Sequence, residues 1–131
     1  MRYQLHDSQV DGLIMEENRI LFTFSQGFWK TDENGKQVEQ MHNCQLVFYI
    51  EKGDALMEDC IFVRLSKKGK TYKTVALRTF ISLLRKSAFD VDMEYDCAFS
   101  NRKMLQLYSN SPQTRVEIFI EEIQKVEYIH D

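Results

Sequence analysis

Residues 89–99, FDVDMEYDCAF, carry the pattern that decides the fold. Apolar and acidic side chains alternate with a period of two. Val91, Met93, Tyr95, Cys97 and Phe99 make one face, and Asp90, Asp92, Glu94 and Asp96 make the other. A strand sends successive side chains to opposite faces, so this stretch predicts a half-buried β-strand. Its like-facing residues stand about 7 Å apart, which would draw the four carboxylates into a line.

The same alternation recurs on both sides of this stretch. Ile20, Phe22 and Phe24 oppose Leu21, Thr23 and Ser25, and with residues 10–15 they predict a hairpin turning at Glu16, Glu17, Asn18 and Arg19. Asp32, Glu33, Asn34, Gly35 and Lys36 predict the next turn, because Asn-Gly tolerates the positive φ of tight turns. Residues 45–50 are apolar on both faces, as a central strand is. Ile61, Val63 and Leu65 face one way in a strand over 60–66. Lys67, Lys68, Gly69 and Lys70 then turn the chain back antiparallel over 71–76. The period changes once: Leu77, Phe80, Ile81, Leu84 and Ala88 follow helical spacing, with Thr79 and Ser82 suited to a start nearby, while the Thr, Val and Phe of residues 74–81 make a strand the competing reading there. After 103–109, a loop at Ser109, Asn110, Ser111 and Pro112 leads to a strand on Val116, Ile118 and Ile120. Residues 121–124 shift the register as a bulge or corner before a last strand. The expectation is a mainly β fold, an antiparallel β-sandwich or open barrel of about eight strands, with one helix at about 77–88.

Composition bounds the class. At 131 residues, with 44% hydrophobic, 12% aromatic and 28% charged residues, the chain reads as a single globular domain, 1–131. One Pro and five Gly leave no linker. No apolar run approaches the roughly 20 residues that span a bilayer. The first residues lack an apolar signal-peptide segment, so neither export nor, with no spanning run, membrane association is expected. Cys44, Cys60 and Cys97 form no Cys-x-x-Cys pair and sit in strand-like sequence. Buried thiols in a reducing cytoplasm are the expectation.

The net charge of −3 conceals segregation. Between Cys60 and Phe89 stand Arg64, Lys67, Lys68, Lys70, Lys73, Arg78, Arg85 and Lys86, and no acid. The remaining nine basic residues face all twenty acidic ones, a balance of −11. Such separation steers a partner, or it holds neighbouring strands together within one chain. The line of Asp90, Asp92, Glu94 and Asp96 would meet a basic protein partner, or lysines of an adjacent strand such as Lys73 or Lys103. A straight strand does not converge ligands for Ca²⁺. Lys67, Lys68, Lys70 and Lys73, with Tyr72 among them, form a candidate anion-binding turn. The acidic pI of 5.6 argues against nucleic acid, and lysines also protect sheet edges. A homodimer, with one subunit's basic turn on another's acidic strand, is compatible with this pattern.

No residue set names a reaction. His6, Asp7 and Ser8 have the residue types of a hydrolase triad, but neighbours in sequence do not make its geometry, and turn formation is the simpler role. His42 and Cys44 would share a strand face as zinc ligands only with a second pair, which is lacking. No metal, cofactor or catalytic residue is assigned. Phe28 and Trp29 follow Gly27, and Trp29 is expected to close the core. A small-molecule or enzymatic pocket at one end of the sandwich, lined by Trp29, Tyr49 or Tyr95, is the alternative to a binding module.

The opening Leu5, His6, Asp7, Ser8 followed by a hairpin resembles the start of small bacterial β-rich proteins, some assigned as toxin-immunity proteins. Residues 116–123 with Val126, Glu127 and Tyr128 are similar in style to their ends. The likeness covers about the first 25 and last 15 residues, and its motifs are short. It implies a non-enzymatic cytoplasmic binding protein, a toxin neutraliser, and carries no functional residue across.

Overall fold

Alternating side chains find one interior in three dimensions. The computed structural model describes residues 2–68, 70–96, 101–110 and 113–130. Thirteen strands occur there: β1 (Arg2–Gln4), β2 (Gln9–Val10), β3 (Gly12–Glu16), β4 (Arg19–Phe24), β5 (Trp29–Thr31), β6 (Gln37–Gln40), β7 (Cys44–Ile50), β8 (Ile61–Lys67), β9 (Lys73–Val75), β10 (Phe89–Asp96), β11 (Lys103–Asn110), β12 (Gln113–Ile120) and β13 (Ile123–Ile129). A 3-10 turn, Met57–Cys60, precedes β8, and one α-helix, α1 (Leu77–Lys86), follows β9. No helix among these residues is long and apolar enough to cross a membrane.

The strands form three antiparallel sheets, in orders β2-β10-β11-β12-β8-β9, β13-β7-β4-β3 and β1-β5-β6. None closes into a barrel among the described residues, so the sandwich is the form adopted. Phe22, Phe24, Leu46 and Phe48 of the four-stranded sheet and Leu105, Leu107, Val116 and Ile118 of the six-stranded sheet belong to one core, all essentially inaccessible. At about 25 cal/mol per Å², burial of such side chains is the main favourable contribution to the fold. The strand count exceeds eight because short strands with little pattern of their own, such as β1 and β2, pair with neighbouring strands.

The 16–19 hairpin turns on Asn18 at φ 64°, and β7 lies centrally between β13 and β4. Val10 leaves that hairpin: it pairs with Phe89 in the six-stranded sheet. Asp32 organises the next turn by accepting the N–H groups of Asn34 and Lys36 on its side chain. Core closure falls to Phe28, fully buried, and not to Trp29, which is only half-buried. Gly27, at φ 82°, is required beside it, since a Cβ there would lie 1.5 Å from the Met41 carbonyl oxygen. Residues 121–122 make a corner through Glu122 at φ 58°, carrying the chain from β12 in one sheet to β13 in the other.

The helix buries Phe80 and Leu84 and leaves Leu77 and Ile81 half-buried. It packs on β3 and β8, bridging the side where the two large sheets part. It ends at Lys86, so Ala88 lies beyond it, and Arg85 and Lys86 in its last turn complement the helix dipole. Its start uses neither Thr79 nor Ser82 as a cap: the N-cap is Ala76, extended at φ −66° and ψ 144°, without a side-chain bond. Ala76→Asp supplies the missing acceptor for a first-turn N–H. A gain of about 0.5–2 kcal/mol is expected, read as a higher urea midpoint at unchanged m-value.

Candidate functional site

The acidic strand does not keep its four carboxylates on one face. In β10, Val91 opposes Leu107 while Met93 opposes Gln106 and Glu94 opposes Leu105, so a bulge inserts one residue at Asp92. A one-residue slip moves every later side chain to the other face. Met93 and Tyr95 therefore turn outward, each 43% exposed, while Glu94 and Asp96 join the side of Leu105 and Lys103. The N-terminal segment follows this irregular edge: His6 Nδ1 bonds Asp92 O at 2.8 Å, and Asp7 N donates to Val91 O. Asp90 and Asp92 remain outside with Asp7 and Tyr108. Asp90 first, then burial, Asp7 and Asp92, raise the Tyr108 hydroxyl above the usual tyrosine range. Arg115 reaches Asp92 at 3.9 Å. Cys97 and Phe99, expected to extend the apolar face, lie outside the described residues.

Glu94 and Asp96 are occupied within the chain. Lys103 Nζ lies 2.8 Å from Glu94 and 3.6 Å from Asp96, with its side chain only 7% exposed. The other Glu94 oxygen accepts the Leu5 N–H. Burial lowers the proton affinity of Lys103, but Tyr128, Glu94 and Asp96 outweigh it and hold the ammonium above the usual lysine value of 10.5. Tyr128, raised chiefly by burial, stacks on Tyr3 at 5.0 Å, and both pack edge-on to Phe28. Of the two lysines expected to partner the strand, Lys103 does so. Tyr128, Tyr3 and Leu5 escape sequence reasoning. The signal for the junction was Lys103 itself, in phase with Leu105 and Leu107 on the buried face.

The basic segment has few internal partners. Arg64 pairs with Glu117 at 3.4 Å and sits over the Tyr72 ring at 5.6 Å. Lys67, Lys68, Lys70, Lys73, Arg78, Arg85 and Lys86 are all exposed, and none forms an ion pair with a described carboxylate. The turn is braced by Lys68 at φ 56°, by Lys70 N donating to Lys67 O, and by the Ser66 hydroxyl donating to Lys70 O. The two charge patches do not meet among the described residues. Beside the cations, a groove of about 520 Å³ opens between β8, β9 and α1, with Phe62, Val75, Leu77 and Ile81 in its walls.

The remaining candidates are not assembled. His6 and Asp7 approach to 3.5 Å, but the buried Ser8 hydroxyl has no hydrogen-bond partner among the described residues, and Leu5–Ser8 is a turn. Cys44 is buried in β7, whereas His42 is exposed and precedes that strand, with Asn43 between them at φ 49°, so the shared strand face does not form. No group of His, Cys, Asp and Glu suited to a metal occurs among the described residues. Tyr49 lines a cleft with Arg19 and Lys52 that includes neither Trp29 nor Tyr95. Burial first, then Glu122, Asp59 and Glu121, raise the Cys60 thiol, which opposes nucleophilic use.

No family model, curated protein or solved structure matches the chain.

Two expectations follow from the Lys103 junction. Glu94→Gln removes the nearest counter-charge of a buried ammonium, a loss of about 3–5 kcal/mol for an isolated pair, reduced here by Asp96. Lys103→Met should cost less, and the double variant should recover part of the Glu94→Gln loss in a denaturant-melt cycle. The folded state holds the Lys103 and Tyr128 protons above their unfolded pKa values, so this stabilisation is complete below about pH 10 and is lost as pH rises further. Urea midpoints should fall across that window, less steeply in Lys103→Met.

Proposed function

We propose that this chain is a non-enzymatic protein-binding module that meets an acidic partner through the cationic side built by the β8–β9 turn and α1. One observation carries the reading: the seven exposed cations from Lys67 to Lys86 have no ion-pair partner among the described residues, whereas Lys103 takes Glu94 and Asp96. The binding sign is thus the reverse of that expected from an unbroken acidic strand. Unpaired surface cations speed encounter with an acidic partner, and apolar contacts supply most of the affinity. The adjoining groove favours protein over nucleic acid, since it offers apolar walls, and Tyr72 already has Arg64 over its ring. The buried thiols Cys44 and Cys60 suit a reducing, cytoplasmic setting. The toxin-neutraliser role implied by the resemblance would use the same surface.

The test compares tagged wild type, a Lys67→Glu, Lys68→Glu, Lys70→Glu, Lys73→Glu variant and an Asp90→Lys, Asp92→Lys variant on lysate with and without nuclease treatment. The lysine variant should lose the retained protein at least tenfold, and the aspartate variant should keep it. Retention should weaken as salt rises. Loss in the aspartate variant alone would return the binding face to the acidic strand. Nuclease-sensitive retention would transfer it to nucleic acid, and sedimentation showing self-association lost in both variants would make the partner a second copy.

A further inference from the structure

We propose that the groove between β8, β9 and α1 is an anchor site for an apolar side chain carried on an acidic segment of the partner. This deepens the cationic-surface reading and rests on it. Phe62 is 43% exposed, and Leu77 and Ile81 stay half-buried although they lie on the helix stripe that faces inward. The apolar stripe of α1 is therefore wider than the core covers, and its uncovered part lines the groove. At about 520 Å³, the groove falls within the range of binding pockets, about 300–1,000 Å³.

Charge complementarity identifies the occupant. Arg78 is in the groove wall, and Lys73 lies two residues from Val75 on β9. Both are exposed and without a described counter-ion. Glu58 is the single carboxylate in the lining among the described residues and would set the register of flanking acids away from the 3-10 turn. A buried anchor ringed by charges that exclude the wrong partner is how interfaces concentrate affinity and specificity. A small apolar carboxylate would fit the groove but leave Lys67, Lys68, Arg85 and Lys86 unused, and α1 alone extends about 15 Å. Strand addition to β9 is disfavoured, because that edge is three residues long and carries Lys73.

The experiment selects random 12-residue displayed peptides on the immobilised wild-type chain and measures the enriched peptides against Phe62→Ser, Arg78→Glu and the quadruple lysine variant. Circular dichroism checks that each variant is folded; all the altered positions are exposed. Enriched peptides should combine a Leu, Ile, Met, Phe or Trp with flanking Asp or Glu. They should lose at least tenfold in affinity to both Phe62→Ser and Arg78→Glu, with Phe62→Tyr retaining binding. Acidic peptides without an apolar anchor, indifferent to Phe62→Ser but lost in the lysine variant, would overturn the groove while leaving the cationic surface standing. Peptides indifferent to every variant, or no enrichment, would overturn it. So would decanoate occupying the groove with no peptide selected, or a dimer in sedimentation that Phe62→Ser dissociates. Failure of the cationic surface itself is read separately, as acidic peptides that bind the lysine variant as well as wild type.

Discussion

The Lys103–Glu94 contact is the constraint around which this molecule is arranged. Taking an ammonium and a carboxylate out of water costs several kcal/mol per ion, and their attraction offsets that only with further polar partners. Here the partners come from three separate parts of the chain: Asp96, the Leu5 amide and the neighbouring Tyr128 all gather at the pair. Glu94 can reach Lys103 only if β10 abandons regular alternation, and the bulge at Asp92 does that. The first segment then follows the bulged edge through His6 and Asp7. Sheet register, the path of the N-terminal segment and the docking of β13 thus share one electrostatic requirement.

What could be read from the residues divides along physical lines. Hairpins, the central strand and the helix announce themselves through local period and turn chemistry, as at Asn18, Gly35 and the Phe80–Leu84 stripe. The bulge does not. It contains no glycine, and residues 89–96 alternate without a flaw, so nothing local distinguishes a regular strand from a slipped one. The selection is made by Lys103, one strand away, whose place among Leu105 and Leu107 demands a counter-ion. The same holds for Phe28 over Trp29: a tryptophan at a strand end suggested core closure, while the buried ring is Phe28, beside the close approach of Gly27 to Met41. The lysine turn was legible as exposed charge, but its lack of partners became visible only when the acids' own partners were known.

The segregated charge therefore has two fates in one chain. On the β10 side it is partly consumed inside, where it specifies register. On the β8–α1 side it stays in solvent beside uncovered apolar surface, a combination that adds little to folding and favours association. An exposed Phe62 in the wall of an apolar groove also carries a risk of self-association, which mutual repulsion among neighbouring lysines counters.

The stack of Tyr3 on Tyr128 and the hydrogen bond between Tyr3 and His130 join residues 125 and 127 positions apart. Synthesis at about 5–20 residues per second leaves roughly 6–25 s between the appearance of one partner and the other. Until residues 123–129 are made, the Lys103 site lacks Tyr128, β7 has no β13 on its flank, and a strand edge is open to unwanted pairing. Such distant closures slow the final folding step. β13 therefore covers the flank of β7 late, and until it is made the nascent chain stays an unfinished sandwich.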